Sequence, residues 1–203
     1  MSRKPIIVFE GIEGTGKSHH ISNVAKYLKK KNRKFIHIRE PGGSKNSEKI
    51  RKLILSNKST FNKYTDLLLY LSARSENIEL IKKNHKKQII LIDRFSDSTI
   101  AYQHYGMGIN LKFINSINDY LLKDINIDFT FLNIVNQRNM KMRLMKRKKL
   151  NRYDQFTNNF YDKVQKGFIK IFKKNTKKYM KIDSNLDINH NEKIILNKIN
   201  DLI

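Results

Sequence analysis

Apolar positions in this chain follow two alternating patterns. Five short runs rich in β-branched and aromatic residues read as buried strands: Ile6-Ile7-Val8-Phe9, Phe35-Ile36-His37-Ile38, Gln88-Ile89-Ile90-Leu91-Ile92, Phe129-Thr130-Phe131-Leu132 and Tyr179-Met180-Lys181-Ile182-Asp183. Between them the apolar spacing becomes helical. Ile21, Val24, Ala25 and Leu28 form one stripe, Ile50, Leu53 and Ile54 another, and Phe160, Val164, Phe168 and Ile171 a third. A long helix is predicted from Tyr64 to Lys83, and a shorter one from Ser96 to Tyr105 that Gly106 and Gly108 end. Asn110 caps a helix bearing Ile114, Ile117 and Leu121, and Asn136 starts one with Met140 and Leu144. The last helix buries Ile195, Ile199 and Leu202, with Asn189 and Glu192 spaced as a capping box. Strands and helices alternate throughout, with no repeat, linker or break. The pattern predicts one doubly wound α/β domain over residues 1–203, with a five-stranded, largely parallel sheet flanked by helices.

The first strand and the first helix enclose Gly11-Ile12-Glu13-Gly14-Thr15-Gly16-Lys17-Ser18, which matches G-x-x-x-x-G-K-[ST]. A strand, a glycine loop and a helix N-terminus in this order direct backbone N–H groups at an anion. Lys17 reaches the β- and γ-phosphates of a bound nucleotide, and Ser18 is suited to ligate Mg²⁺. Asp93 closes the third strand, the position of the acidic residue that holds Mg²⁺ in such sites. Arg94 beside it can clamp a phosphate with two N–H groups. Arg39 and Glu40 end the second strand before the turn Pro41-Gly42-Gly43, on the sheet edge where open α/β sheets bind ligands. Tyr70 and Arg74 are one helical turn apart, as are Ser98 and Tyr102, with Gln103 adjacent. Tyr70 and Arg74 could stack on and hydrogen-bond a flat base, or be a core tyrosine beside a solvated arginine; spacing leaves both open. The basic run Lys146-Arg147-Lys148-Lys149, followed by Asn151-Arg152-Tyr153-Asp154, reads as a solvated face or as a cationic lid over a triphosphate.

Composition changes this picture little. The chain has 203 residues and no cysteine, so disulfides are excluded. No apolar run approaches the ~18 residues of a membrane span, and the N-terminal apolar stretch stops at Glu10, so a soluble cytoplasmic protein is expected. With 42 Lys and Arg against 18 Asp and Glu, the formal net charge is +24. Nucleic-acid binding is one reading of that charge. The lysines are scattered rather than gathered on one face, which favours biased composition, and nucleic acid is not expected as a partner. Either way, the field draws in anions and weakens with salt.

Three motifs carry a resemblance. Phe9-Glu10-Gly11-Ile12-Glu13-Gly14-Thr15-Gly16-Lys17-Ser18, Arg39-Glu40-Pro41-Gly42-Gly43 and Asp93-Arg94-Phe95-Ser96-Asp97-Ser98-Thr99-Ile100-Ala101-Tyr102-Gln103 together closely resemble the thymidylate kinase family in its bacterial form. The glycine loop alone is common to many families; the other two are far more specific. The resemblance implies a P-loop kinase fold with a lid at about residues 141–154, transfer of the γ-phosphoryl group of ATP to dTMP in dTTP synthesis, a Mg²⁺ requirement and a homodimer. It implies that Gly11 to Ser18 bind ATP, with Lys17 on the transferred group, and that Ser18 and Asp93 serve Mg²⁺. Glu13 would face the acceptor's 3′-hydroxyl. Arg51 and Arg94 would grip the acceptor phosphate, with Glu40 and Pro41 lining the same pocket beside Arg39. Arg74 would read a thymine carbonyl, with Tyr70, Ser98 and Gln103 around the base and Tyr102 against the sugar. Because Gly14 stands where some members have a basic residue, the catalytic arginine is expected in the lid, with Arg143, Arg147 and Arg152 as candidates. The chain departs from the family at Tyr70, usually phenylalanine, at Asn133, commonly aspartate, and at Asn136, where proline often follows. Another nucleoside monophosphate or deoxynucleoside kinase is the alternative, and a nucleotide-dependent nucleic-acid binder a remoter one.

Overall fold

The five apolar runs pair into one sheet. In the computed structural model, which describes residues 3–203, the strands are β1 (Ile6–Glu10), β2 (Phe35–Arg39), β3 (Ile89–Asp93), β4 (Phe129–Ile134) and β5 (Tyr179–Asp183). Their order is β2-β3-β1-β4-β5, and every neighbouring pair is parallel, so the sheet is parallel throughout rather than largely so. Parallel strands require long crossovers. These contain α1 (Lys17–Lys30), α2 (Lys45–Leu55), α3 (Lys63–Asn84), α4 (Ser96–Thr99), α5 (Leu111–Leu122), α6 (Gln137–Met145) and α7 (Asn158–Lys174), with α8 (Ile188–Leu202) following β5. Among the described residues, no helix is long and apolar enough to cross a membrane.

Burial accounts for the continuous apolar runs. β1 has all five residues buried, because helices cover both faces of the sheet. Ile7, Phe9, Leu91 and Phe131 pack on Ile21, Val24 and Leu28 of α1 and on Ile195 and Ile199 of α8. Ile6, Val8, Ile90 and Ile92 point the other way, onto Ile78 and Ile81 of α3. The register then aligns the motifs: Phe9 pairs with Asp93, and Asp93 with Arg39. The residues that follow β1, β2 and β3 therefore leave the same sheet edge side by side.

Three local expectations change. Leu53 is 54% exposed, while Ile54 beside it is fully buried, so only part of the expected α2 stripe reaches the core. The α8 cap is Asp187, whose carboxylate accepts from the N–H groups of Asn189 and His190; Glu192 instead accepts from Asn23 on α1. Asp187 wins because a carboxylate one residue before the helix reaches two free N–H groups at once. The helix after Ser96 changes to a π-helical turn over Ile100–Gly106, with Met107 N–H donating to the Tyr102 carbonyl. Gly106 is the last residue of that turn, and Gly108 follows it at φ 73°. A Cβ on Gly106 would stand 2.7 Å from the Phe160 ring, and one on Gly167 would stand 2.5 Å from Tyr105, so these two glycines let α7 press against the π turn.

Candidate active site

The glycine loop is shaped by positive φ and close backbone approach. Gly11 has φ 136°, and a Cβ there would lie 2.2 Å from the Asn133 carbonyl oxygen of β4. Gly16, at φ 81°, immediately precedes α1. Lys17, 7% exposed, curls back over the loop: Nζ donates to the Gly11 and Ile12 carbonyls, each at 2.8 Å, and to Thr15 Oγ1 at 3.2 Å. Burial, reinforced by the Arg94 charge, lowers its pKa to about 7. Ser18 Oγ donates to Asp93 Oδ2 at 3.3 Å.

Arg94 joins this loop to the rest of the cavity. It has φ 67°, a left-handed conformation that costs a non-glycine residue ~1–3 kcal/mol. The surroundings hold it there. Its N–H donates to the Phe9 carbonyl at 3.0 Å, Nη1 to the Gly11 carbonyl at 2.7 Å, and Nη2 to Glu13 Oε1 at 2.8 Å. The Tyr102 hydroxyl donates to the other Glu13 oxygen, and the Arg94 guanidinium lies 5.3 Å from the Tyr102 ring centre. Glu10, which ends β1, accepts from the N–H groups of Phe95 and Ser98 and from Ser98 Oγ at 2.5 Å. Burial, then the neighbouring Asp97, raises its pKa to about 7. Ser98 therefore lines the cavity with its hydroxyl given to Glu10 rather than aimed inward.

Beyond Arg94 the wall is formed by α2 and α3. Arg74 is 1% exposed, and its guanidinium is gripped on three sides: Nε donates to Glu40 Oε2 at 2.9 Å, Nη1 to Asn118 Oδ1 at 2.8 Å and Nη2 to Thr99 Oγ1 at 2.8 Å. Burial raises the Glu40 pKa, against the pull of Arg74. Arg51 Nη1 donates to the Pro41 carbonyl at 2.5 Å, and burial together with Arg39 lowers its pKa. Arg39 is occupied by Glu48, through Nε at 3.0 Å and Nη2 at 2.9 Å, which leaves it at the rim with its charge matched.

These groups enclose one cavity of about 430 Å³. It gathers the loop from Glu13 to Ser18 with Arg39, Glu40, Pro41, Arg51, Tyr70, Arg74, Asp93, Arg94, Ser98, Tyr102 and Gln103. Gly11 and Ile12 are buried and do not line it. Arg143 and Arg147 reach it, the first donating to the Gly14 carbonyl at 2.8 Å and the Ser184 carbonyl at 2.7 Å, the second to Asp154 Oδ1 at 2.5 Å. Arg152 does not reach it. Its guanidinium pairs with Asp66 of α3 and donates to the Ile54 carbonyl at 3.1 Å, outside the cavity. Sequence reasoning missed Thr99 and Tyr153, which do line the cavity. No periodicity marks them, because Thr99 is recruited by Arg74 and Tyr153 by Asp66, each from a distant part of the chain. Asn133, a departure from the expected aspartate, sits beneath the glycine loop and donates to the Glu10 and Phe131 carbonyls, each at 3.3 Å. Asn136 caps α6, accepting from Asn139 N–H at 2.8 Å.

A glycine loop feeding α1 at the edge of an all-parallel sheet, with an acidic strand end and an arginine-lined cavity beside it, defines a P-loop phosphotransferase. The family model described as thymidylate kinase matches residues 9–195. The chain belongs to the thymidylate kinase family. It is 38% identical over 169 residues to the thymidylate kinase of Thermosipho africanus, covering 82% of this chain and 84% of that one. It is 36% identical to that of Mycoplasma capricolum, covering 95% of each chain. The crystal structure of thymidylate kinase from Ehrlichia chaffeensis superposes with a TM-score of 0.78 at 31% identity, covering 98% of this chain and 99% of that one.

Proposed function

We propose that this chain transfers the γ-phosphoryl group of ATP to dTMP, giving ADP and dTDP, as a single domain over residues 1–203 with a lid at about 141–154. The observation that carries this reading is one cavity with two anion-binding ends, glycine-loop amides and Lys17 at one and the Arg51 and Arg94 guanidinium groups at the other. The acceptor phosphate is already an anion, so no strong general base is needed; the task is alignment and charge neutralisation. Lys17 neutralises charge on the donor phosphates. Arg94, fixed by Glu13 and the Gly11 carbonyl, aligns the acceptor phosphate with Arg51. Tyr70 stacks on the base, Arg74 and Gln103 hydrogen-bond it, and Tyr102 bounds the sugar. Arg143 and Arg147 cover the triphosphate and exclude water, which would otherwise take the phosphoryl group.

Ser18 and Asp93 fit Mg²⁺. Their two hard oxygens lie 3.3 Å apart at the loop, and among the described residues no cluster of three or more His, Cys, Asp or Glu could cage a metal. Mg²⁺ keeps several waters and takes its remaining ligands from substrate phosphates, so a sparse protein site suits it. When bound it supplies neutralising charge to those phosphates. Both substrates are soluble phosphate esters, in keeping with a cytoplasmic location, and nucleic acid has no part in the reading. A coupled ADP-release assay across nucleoside monophosphates tests it: dTMP should give the fastest turnover. Equal or faster turnover with another monophosphate would replace the acceptor, and salt-sensitive nucleic-acid binding without ADP release would replace the reaction.

Lys17 predicts a pH signature. With its pKa at about 7, Lys17 is mostly neutral at pH 8, and a bound polyphosphate favours the ammonium. ATP binding at pH 8 should therefore take up close to one proton, and affinity should fall as pH rises above 7, by up to ~10-fold per unit. Calorimetry in buffers of different ionisation enthalpy measures this, with Lys17→Ala as the control. Identical observed enthalpies in all buffers would remove the effect.

The proposed homodimer is supported by exposed apolar side chains on helices that pack side by side: Leu53 of α2, Tyr64 and Leu68 of α3, and Phe113 of α5. Leu68→Lys should convert the dimer to a monomer in sedimentation velocity. A monomeric wild type would end that part of the proposal.

A further inference from the structure

Tyr153 and Asp154 are neighbours in the 3₁₀ turn Arg152–Gln155, and their side chains serve different parts of the cavity wall. The Tyr153 ring packs edge-on to Tyr70, with centres 5.7 Å apart, and lies 5.8 Å from the Tyr102 ring. Its hydroxyl donates to Asp66 Oδ2 and accepts from Gln103 Nε2 at 3.2 Å. The Asp154 carboxylate holds Arg147 through Oδ1 at 2.5 Å and accepts from Asn151 through Oδ2. The turn between them is stiff: Asp154 N–H donates to the Asn151 carbonyl at 3.0 Å, and the Tyr161 hydroxyl to the Tyr153 carbonyl at 2.5 Å. Both side chains are buried, so neither moves without displacing packed neighbours. We infer that Tyr153 and Asp154 are positioning residues that tie a base seated against Tyr70 and Gln103 to the placement of Arg147, so that the lid arginine is held more firmly when the acceptor's base is in its pocket.

An aliphatic side chain would fill the same space between Tyr70 and Tyr102. The hydroxyl adds a connection, because it bonds at once to a cavity-lining amide and to a carboxylate of α3. A base seated against Gln103 would brace Tyr153 through that hydroxyl, and the stiff turn would hold Asp154, and with it Arg147, in register. Phosphoryl transfer would then answer to the base, although the base lies away from the reacting phosphates. The inference rests on the dTMP kinase reading.

Trypsin reads the coupling without turnover, since Lys146, Lys148 and Lys149 are exposed in the lid. Saturating dTMP alone, with occupancy fixed by calorimetry, should slow cleavage at these lysines by about tenfold in the wild type, roughly the worth of one buried hydrogen bond to a charged group. In Tyr153→Phe, which keeps the ring, the slowing should be less than ~2-fold at the same occupancy. Equal protection in both proteins overturns the inference. A second readout covers misfolding of either variant: kcat with dTMP for Tyr153→Phe, Asp154→Asn and the double variant, with Arg147→Ala replacing Asp154→Asn if that protein does not fold. A shared route makes the double loss match the larger single loss, whereas losses that multiply overturn it. The wild-type rate with dTMP tests the dTMP kinase reading by itself. A wild type that binds dTMP without releasing ADP would refute that reading, and the trypsin experiment would still decide the coupling.

Discussion

Lys17→Ala is expected to lower kcat by ~10³-fold or more while the protein stays folded, because it removes a positive charge that acts directly on the transferring phosphates. The side chain is buried over the loop, bonded to the Gly11 and Ile12 carbonyls and to Thr15. No carboxylate loses a bonded partner when it is removed. The fold forgoes a few hydrogen bonds of about 1 kcal/mol each and sheds a buried amine that burial already strips of its proton near neutral pH. Single-turnover ADP formation measures the chemical step, and thermal melting followed by circular dichroism reports the fold. A folded variant that keeps more than about a tenth of the wild-type rate would remove Lys17 from the reaction. The proton uptake at pH 8 should vanish in the same variant.

The two lid arginines should separate in kinetics, because the fold holds them differently. Arg143 lies in α6 and is pinned between the Gly14 and Ser184 carbonyls, a link from the lid to the glycine loop and to the turn after β5. Arg147 lies beyond the end of α6, is 40% exposed in its side chain, and is held by Asp154. An exposed arginine held by a single side-chain partner is freer to follow developing charge; one clamped by two carbonyls mainly shapes the donor site. Arg147→Ala should therefore lower kcat by ~10³-fold with the KM for ATP changed by less than ~3-fold, the behaviour of a contact made only in the transition state. Arg143→Ala should chiefly raise the KM for ATP. The reverse pattern would exchange their roles. Arg152→Ala should act through stability, since its guanidinium holds the buried Asp66 carboxylate rather than facing the cavity.

Much of the molecule was legible before any coordinate, and the exceptions share a cause. The glycine loop, the five strands and the Asn110 and Asn136 caps were readable because each depends on neighbours within a few residues: glycine where φ is positive, asparagine one residue before a helix, apolar runs where a strand is covered on both faces. Arg94 and Asp93 were readable for the same reason, as an acidic strand end followed by an arginine. Ser98 was placed at the base, yet its hydroxyl belongs to Glu10, 88 positions earlier in the chain. Asp187 displaced Asn189 as the α8 cap because local geometry gives its carboxylate two free N–H groups, a choice that spacing alone ranks poorly.

The amino-acid sequence by itself determined the order of strands and helices, the anion-binding loop and the family, all written in short-range pattern and turn chemistry. Only the tertiary structure decided which arginines face the cavity. Arg143 and Arg147 enter it, Arg39 lines its rim paired with Glu48, and Arg152 is drawn away to Asp66; nothing in the pattern of basic residues separates these outcomes. The physical reason is competition for charge. Arg39, Arg147 and Arg152 each go to a carboxylate that packing brings near and Arg143 to two backbone carbonyls, and where those partners lie depends on the parallel register of the sheet and the docking of the lid on α3.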